Sequence, residues 1–201
     1  MRLALLIVVL SASVGLADTR GEVAMGKPLR DATLTGLNGS SRLLSDYRGR
    51  SLIINVWASW CGPCRAEMAS LERLAWLDAA RDITVIGIST DDDSELAKAW
   101  LKHSNATISQ FIDSHLTMEN MLGARTLPLT VLVSADGRIL SKVYGAQQWD
   151  GPDALRLLHD TFRSRKPISM GRTIRPVTLR YPAPLRTRPN VPVRAFVALH
   201  L

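Results

Sequence analysis

The chain has 201 residues, 46% hydrophobic and 21% charged, which is enough to bury the core of one ordinary domain with appendages. Its formal charge of +7 is unevenly placed: residues 18–162 carry 15 Lys/Arg against 18 Asp/Glu, whereas residues 163–201 carry nine Lys/Arg and no acid. The basicity therefore belongs to the tail, and the folded part is not marked as a nucleic-acid binder.

Met1–Ala17 has one cation (Arg2), an apolar run from Leu3 to Leu10, and small residues at Gly15 and Ala17. That is the layout of a secretory signal peptide cleaved after Ala17, and the uncharged stretch is short for a spanning helix. Retention as an N-terminal tether is the alternative. Residues 18–25 read as a polar linker, and the main domain is expected over 26–163.

Ala32-Thr33-Leu34 and Arg42-Leu43-Leu44 flank Gly36-Leu37-Asn38-Gly39, predicting a small N-terminal hairpin. Ser51–Ala58 is apolar and β-branched over a strand's length, which fits a central strand buried on both faces. Helical spacing then runs over Arg65–Ala80. Ile83–Ser89 predicts a second buried strand, and Ser94–His103 a helix with Ser94 as its N-cap. The acidic run Asp91-Asp92-Asp93 between them reads as a solvated loop.

His115–Leu122 predicts a short helix, and Leu129–Val133 with Arg138–Tyr144 a hairpin around Asp136-Gly137. Asp150–Phe162 predicts a final helix, capped by Asp150 with Pro152 in its first turn. This order implies an α/β domain with a mixed sheet covered on both faces. Residues 164–201 hold six of the ten prolines and no sustained apolar period, so they are expected to form a basic, disordered tail able to touch an anionic membrane surface.

The two cysteines of the chain, Cys61 and Cys64, stand in Trp60-Cys-Gly-Pro-Cys64, where the strand turns into the helix. A disulfide enclosing two residues contributes little stability, so the pair reads as reactive. At a helix N-terminus, free amides and the macrodipole favour an anion and lower the Cys61 thiol pKa. The Cys61 thiolate would attack a partner's disulfide, and Cys64 would resolve the mixed disulfide. Pro63, lacking an N–H, suits the first turn. Haem attachment would require His where Arg65 stands, and a structural zinc site would require two more ligands.

Asn55-Val-Trp-Ala-Ser-Trp-Cys-Gly-Pro-Cys-Arg-Ala-Glu-Met68, followed by Gly123-Ala-Arg-Thr-Leu-Pro-Leu-Thr130, resembles the active-site segments of the TlpA-like or ResA-like extracytoplasmic disulfide reductases. The resemblance covers about residues 26–163. It implies a thioredoxin-like three-layer fold with an N-terminal hairpin extension, a nucleophile at Cys61 and a resolving Cys64. It further implies a cis Leu127-Pro128 peptide whose backbone pairs with an extended substrate, and an active-site acid at Glu67. Trp60, Gly62 and Pro63 would complete the substrate-facing surface, with Trp57 packing inside.

Two departures stand out. Asn55 occupies the place of thioredoxin's buried Asp and cannot move a proton. Ala69 replaces a common family proline, so the helix is expected to lack that kink. Glu67, one turn beyond Cys64, becomes the candidate proton acceptor.

The expected activity is reduction of disulfides in protein partners by a monomer, with an upstream electron donor and no metal or organic cofactor. The family's roles suggest cytochrome c maturation or copper-site assembly in a periplasm, although no residue selects either. An oxidant or isomerase on the same fold stays open. So does a copper chaperone or redox-inert binding module, because His115, Met118 and Met121 share one predicted helix and soft ligands favour Cu(I); buried Met packing is the simpler reading.

Overall fold

The structure, a computed structural model, describes residues 21–164. The expected signal segment, the start of the linker and the basic tail from 165 onward lie outside the described residues, while Ser164, expected to open that tail, is the last residue of the final helix. Seven strands form one mixed sheet in the order β2-β1-β5-β4-β3-β6-β7. In chain order these are β1 (Thr33–Gly36), β2 (Arg42–Leu43), β3 (Ser51–Trp57), β4 (Ile83–Ser89), β5 (Ser109–Ile112), β6 (Leu129–Val133) and β7 (Ile139–Tyr144). The helices are α1 (Gly62–Ala75), α2 (Ser94–Ser104), α3 (Thr117–Leu122) and α4 (Pro152–Ser164).

β3 is an interior strand of the sheet, lying between β4, to which it is parallel, and β6, to which it is antiparallel. Its side chains alternate between two cores, as the strand period requires. Leu52, Ile54 and Val56 join Met118, Met121 and Leu122 of α3 on one face. Ile53 and Trp57 join Met68, Leu71 and Leu74 of α1, Ala97 and Leu101 of α2, and Leu158 of α4 on the other. The expected α/β architecture, with its N-terminal hairpin, is present.

Several boundaries differ from the sequence expectation. The first helix begins at Gly62 instead of Arg65 and ends at Ala75; Asp78–Ala80 is a separate 3-10 turn. Asp93, not Ser94, caps α2, its side chain accepting from the Glu95 N–H. Asp150 does not act as the cap of α4 but pairs with Arg73 at 2.6 Å, and α4 starts at Pro152.

Residues 21–25, expected as linker, pack onto the domain. Val23 is buried and donates its N–H to Met121 O at 2.9 Å. Glu22 bridges Lys142 at 2.6 Å and Arg125 at 3.0 Å. Gly123, at φ 73°, closes α3 in the left-handed region and leaves room for the Glu22 carboxylate, which a Cβ would strike.

Candidate active site

β3 ends at Trp57, and Ala58-Ser59-Trp60 carries the chain to Cys61, the N-cap of α1. The Cys64 N–H points at Cys61 Sγ, 3.2 Å away, and the Arg65 N–H donates to Cys61 O at 3.2 Å. Cys61 thus stands where the unpaired amides and dipole of a 14-residue helix favour a thiolate. Cys61 and Cys64 are joined as a disulfide, with Cα atoms 5.3 Å apart. In this oxidised state Cys61, at the helix start, is only 5% exposed, and Cys64 is fully buried. Gly62 and Pro63 are exposed, and Trp60 is 71% exposed, while Trp57 is buried as expected.

Leu127-Pro128 is a cis peptide immediately before β6. Leu129 lies opposite Val56 in the antiparallel β3–β6 register, so this peptide sits at the same end of the sheet as the Cys61 turn. Leu127 is half-buried against both cores, and Pro128 O accepts from the Gly145 N–H at 2.9 Å.

Glu67 lies one turn beyond Cys64 on the inward face of α1, 2% exposed. Asn55 Nδ2 donates to its Oε1 at 2.7 Å; the Gln147 N–H and Trp149 Nε1 donate to Oε2 at 2.8 and 3.3 Å. Burial pushes its carboxyl up to about 7, against these three donors, which favour the charged form. A carboxyl titrating there can accept a proton near neutral pH. Asn55 also donates to Thr130 Oγ1 at 3.1 Å, so the amide joins α1, β3 and β6 behind the disulfide.

Sequence reasoning singled out Cys61, Cys64, Glu67, Trp60 and Leu127-Pro128, and the fold gathers them at one end of the sheet. It missed Gln147, Trp149 and Thr130, which reach Glu67 and Asn55 from segments about eighty positions away and carry no local signal. It also misread Asp91, which is 2% exposed and bonded to Ser59. Met118 and Met121 are buried in the core while His115 is exposed, so the three do not converge. Among the described residues no group of three or more His, Cys, Asp or Glu is placed to hold a metal ion, and no helix is long and apolar enough to cross a membrane.

The sequence profile of the family described as Redoxin matches residues 24–158. Among curated relatives, the thiol-disulfide oxidoreductase ResA of Geobacillus kaustophilus is 27% identical over 72% of this chain and 86% of its own. The thiol:disulfide interchange protein DsbE of Pseudomonas aeruginosa is 32% identical over 60% of this chain and 67% of its own. The solved thioredoxin domain of a thiol-disulfide oxidoreductase from Bacteroides vulgatus superposes with a TM-score of 0.58 at 22% identity, covering 69% of this chain and 97% of that one.

Proposed function

The chain belongs to the Redoxin family and is a TlpA-like or ResA-like thiol-disulfide oxidoreductase; from that premise we propose that it reduces disulfides in exported protein partners. The observation that supports this most is a Cys-Gly-Pro-Cys pair capping a helix, with a buried carboxyl, Glu67, one turn behind the second cysteine.

In the proposed cycle, the Cys61 thiolate attacks one sulfur of the partner's disulfide. That S–S bond breaks, a Cys61–partner disulfide forms, and the first partner thiolate leaves. Glu67, charged, takes the Cys64 proton. The Cys64 thiolate then attacks Cys61 Sγ, expelling the second partner thiolate and leaving the Cys61–Cys64 disulfide. The partner has gained two electrons, and its two thiolates take up one proton from Glu67 by way of water, which recharges the carboxylate, and one from solvent. An upstream dithiol donor restores the reduced enzyme by the reverse exchange, and no metal or organic cofactor takes part.

Trp60, Gly62 and Pro63 offer an exposed face beside the nucleophile, and the Leu127 backbone, next to Pro128, pairs with an extended partner segment. The leading segment Met1–Ala17 exports the chain, to the periplasm of a Gram-negative bacterium or to a membrane tether if retained. The protein works as a monomer, and its basic tail adds salt-sensitive attraction to anionic surfaces.

The reduction potential tests the direction of electron flow. Equilibration of the Cys61–Cys64 couple against a thiol–disulfide buffer should give a value near that of thioredoxin, about −270 mV. A value near that of a strong oxidant, about −120 mV, would make the protein a disulfide donor instead.

A further inference from the structure

We infer that Asp91 is a positioning residue for the redox site: its buried carboxylate holds the turn that seats Cys61 on the helix N-terminus. This inference rests on the reading of Cys61 as nucleophile. Three consecutive acids follow β4, and they have separate fates: Asp92 is exposed, Asp93 caps α2, and Asp91 is 2% exposed. A carboxylate is taken out of water only where donors replace the lost hydration. Asp91 has three: Oδ2 accepts from the Ser59 N–H at 2.9 Å and Ser89 Oγ at 2.6 Å, and Oδ1 accepts from Ser59 Oγ at 2.7 Å. Ser89 Oγ in turn accepts the Asp91 N–H at 3.1 Å.

Two of these bonds go to Ser59, whose place explains their effect. β3 and β4 are parallel, with Trp57 opposite Ser89, and the Thr90 N–H donates to Trp57 O at 2.9 Å. Past that point β3 has no ladder to guide it, and the chain must turn. The Cys61 N–H donates to Ala58 O at 3.1 Å, closing a turn in which Ser59 and Trp60 are the central residues. Asp91 grips the backbone N–H and the hydroxyl of the first of these. The next residue is the exposed Trp60, and the one after it is Cys61, whose Sγ faces the Cys64 N–H at 3.2 Å. A turn free to shift would carry Cys61 Sγ off that N–H and off the helix axis, and its thiolate would lose the stabilisation that makes it reactive near neutral pH.

Substitution separates the hydrogen bonds of Asp91 from its charge. In Asp91→Asn the amide oxygen can still accept the Ser59 N–H, and the Ser59 hydroxyl can rotate to accept from Nδ2. In Asp91→Ala both bonds to Ser59 are gone. Ser59→Ala removes one and keeps the other.

The test is the pH dependence of Cys61 alkylation by iodoacetamide in the reduced protein, located by peptide mapping. Asp91→Ala should move the profile to higher pH and lower the rate near pH 7 by about threefold or more. Ser59→Ala should move it less in the same direction, and Asp91→Asn should retain the wild-type rate. A folded Asp91→Ala protein with a wild-type profile would overturn the inference, as would an Asp91→Asn shift as large as that of Asp91→Ala. Should Asp91→Ala fail to fold, an unchanged profile in Ser59→Ala would overturn it. Preferential labelling of Cys64 in the wild type would instead remove the nucleophile assignment on which the inference stands.

Discussion

Asn55 Nδ2 lies 2.7 Å from Glu67 Oε1, so the residue that replaces a proton-carrying Asp in the central strand has become a donor to the acid one turn beyond Cys64. The amide helps the carboxyl hold a charge that its burial opposes. Asn55→Ala removes that donor and should push the Glu67 carboxyl higher still. The pH at which the mixed disulfide is half-maximally resolved should then rise in stopped-flow kinetics, with the initial attack by Cys61 much less affected. Asn55→Asp should move it in the same direction, because two carboxylates would face each other.

Glu67 also ties stability to pH. Its folded carboxyl titrates at about 7, above the ordinary value that it regains on unfolding, so the folded state binds the extra proton between roughly pH 4.5 and 7. The stabilisation is complete below the unfolded value and is lost as pH rises through about 7, an effect on the order of a few kcal/mol. Thermal unfolding of the oxidised protein should show Tm falling across this window. Glu67→Gln, which cannot ionise, should flatten that part of the slope.

Trp60 is 71% exposed, with the Cys61 turn behind it, so truncating it removes little packing. Trp60→Ala should leave stability within about 0.5 kcal/mol by denaturant titration. It should lower kcat/KM for protein disulfides several-fold while sparing a small disulfide that does not reach the indole.

The N-terminal strap is a stability element. The Lys142 side chain is 4% exposed, with Glu22 at 2.6 Å and Val23 O at 3.2 Å as acceptors. Removing one partner of a buried pair leaves a charge in a poor solvent, at a cost of about 3–5 kcal/mol. Glu22→Ala should lower the urea unfolding free energy by that order, with more modest loss in Lys142→Met, which supplies apolar volume in place of the charge.

Most of the fold was legible because its strands are apolar and its turns carry Gly, Asn and Asp. Ile83–Ser89 and Leu129–Val133 are the strands that apolar runs delimit to the residue. β5 was not read as a strand: Ser109-Gln-Phe-Ile is four residues long and half polar. Gln110 is nonetheless buried, because its Oε1 accepts from Trp57 Nε1 at 3.0 Å, a partner 53 positions away. The same distance problem hid the surroundings of Glu67. The carboxyl itself could be singled out from its place on the helix and from the family resemblance, but its burial among Asn55, Gln147 and Trp149 is set by tertiary contacts. Asp91 was misread because a charged residue after a strand is usually solvated, and its burial is offset by donors from Ser89 and from Ser59, the latter 32 positions away.

The most direct test of the proposed cycle is to mix the reduced protein with a disulfide-containing protein, quench by acid at successive times, and locate the mixed disulfide by mass spectrometry. It should form at Cys61, decay quickly in the wild type, and persist severalfold longer in Glu67→Gln while forming at the same rate. A mixed disulfide at Cys64, or one that decays in Glu67→Gln as fast as in the wild type at every pH, would contradict the assignment of attack, resolution and proton acceptance to these three side chains.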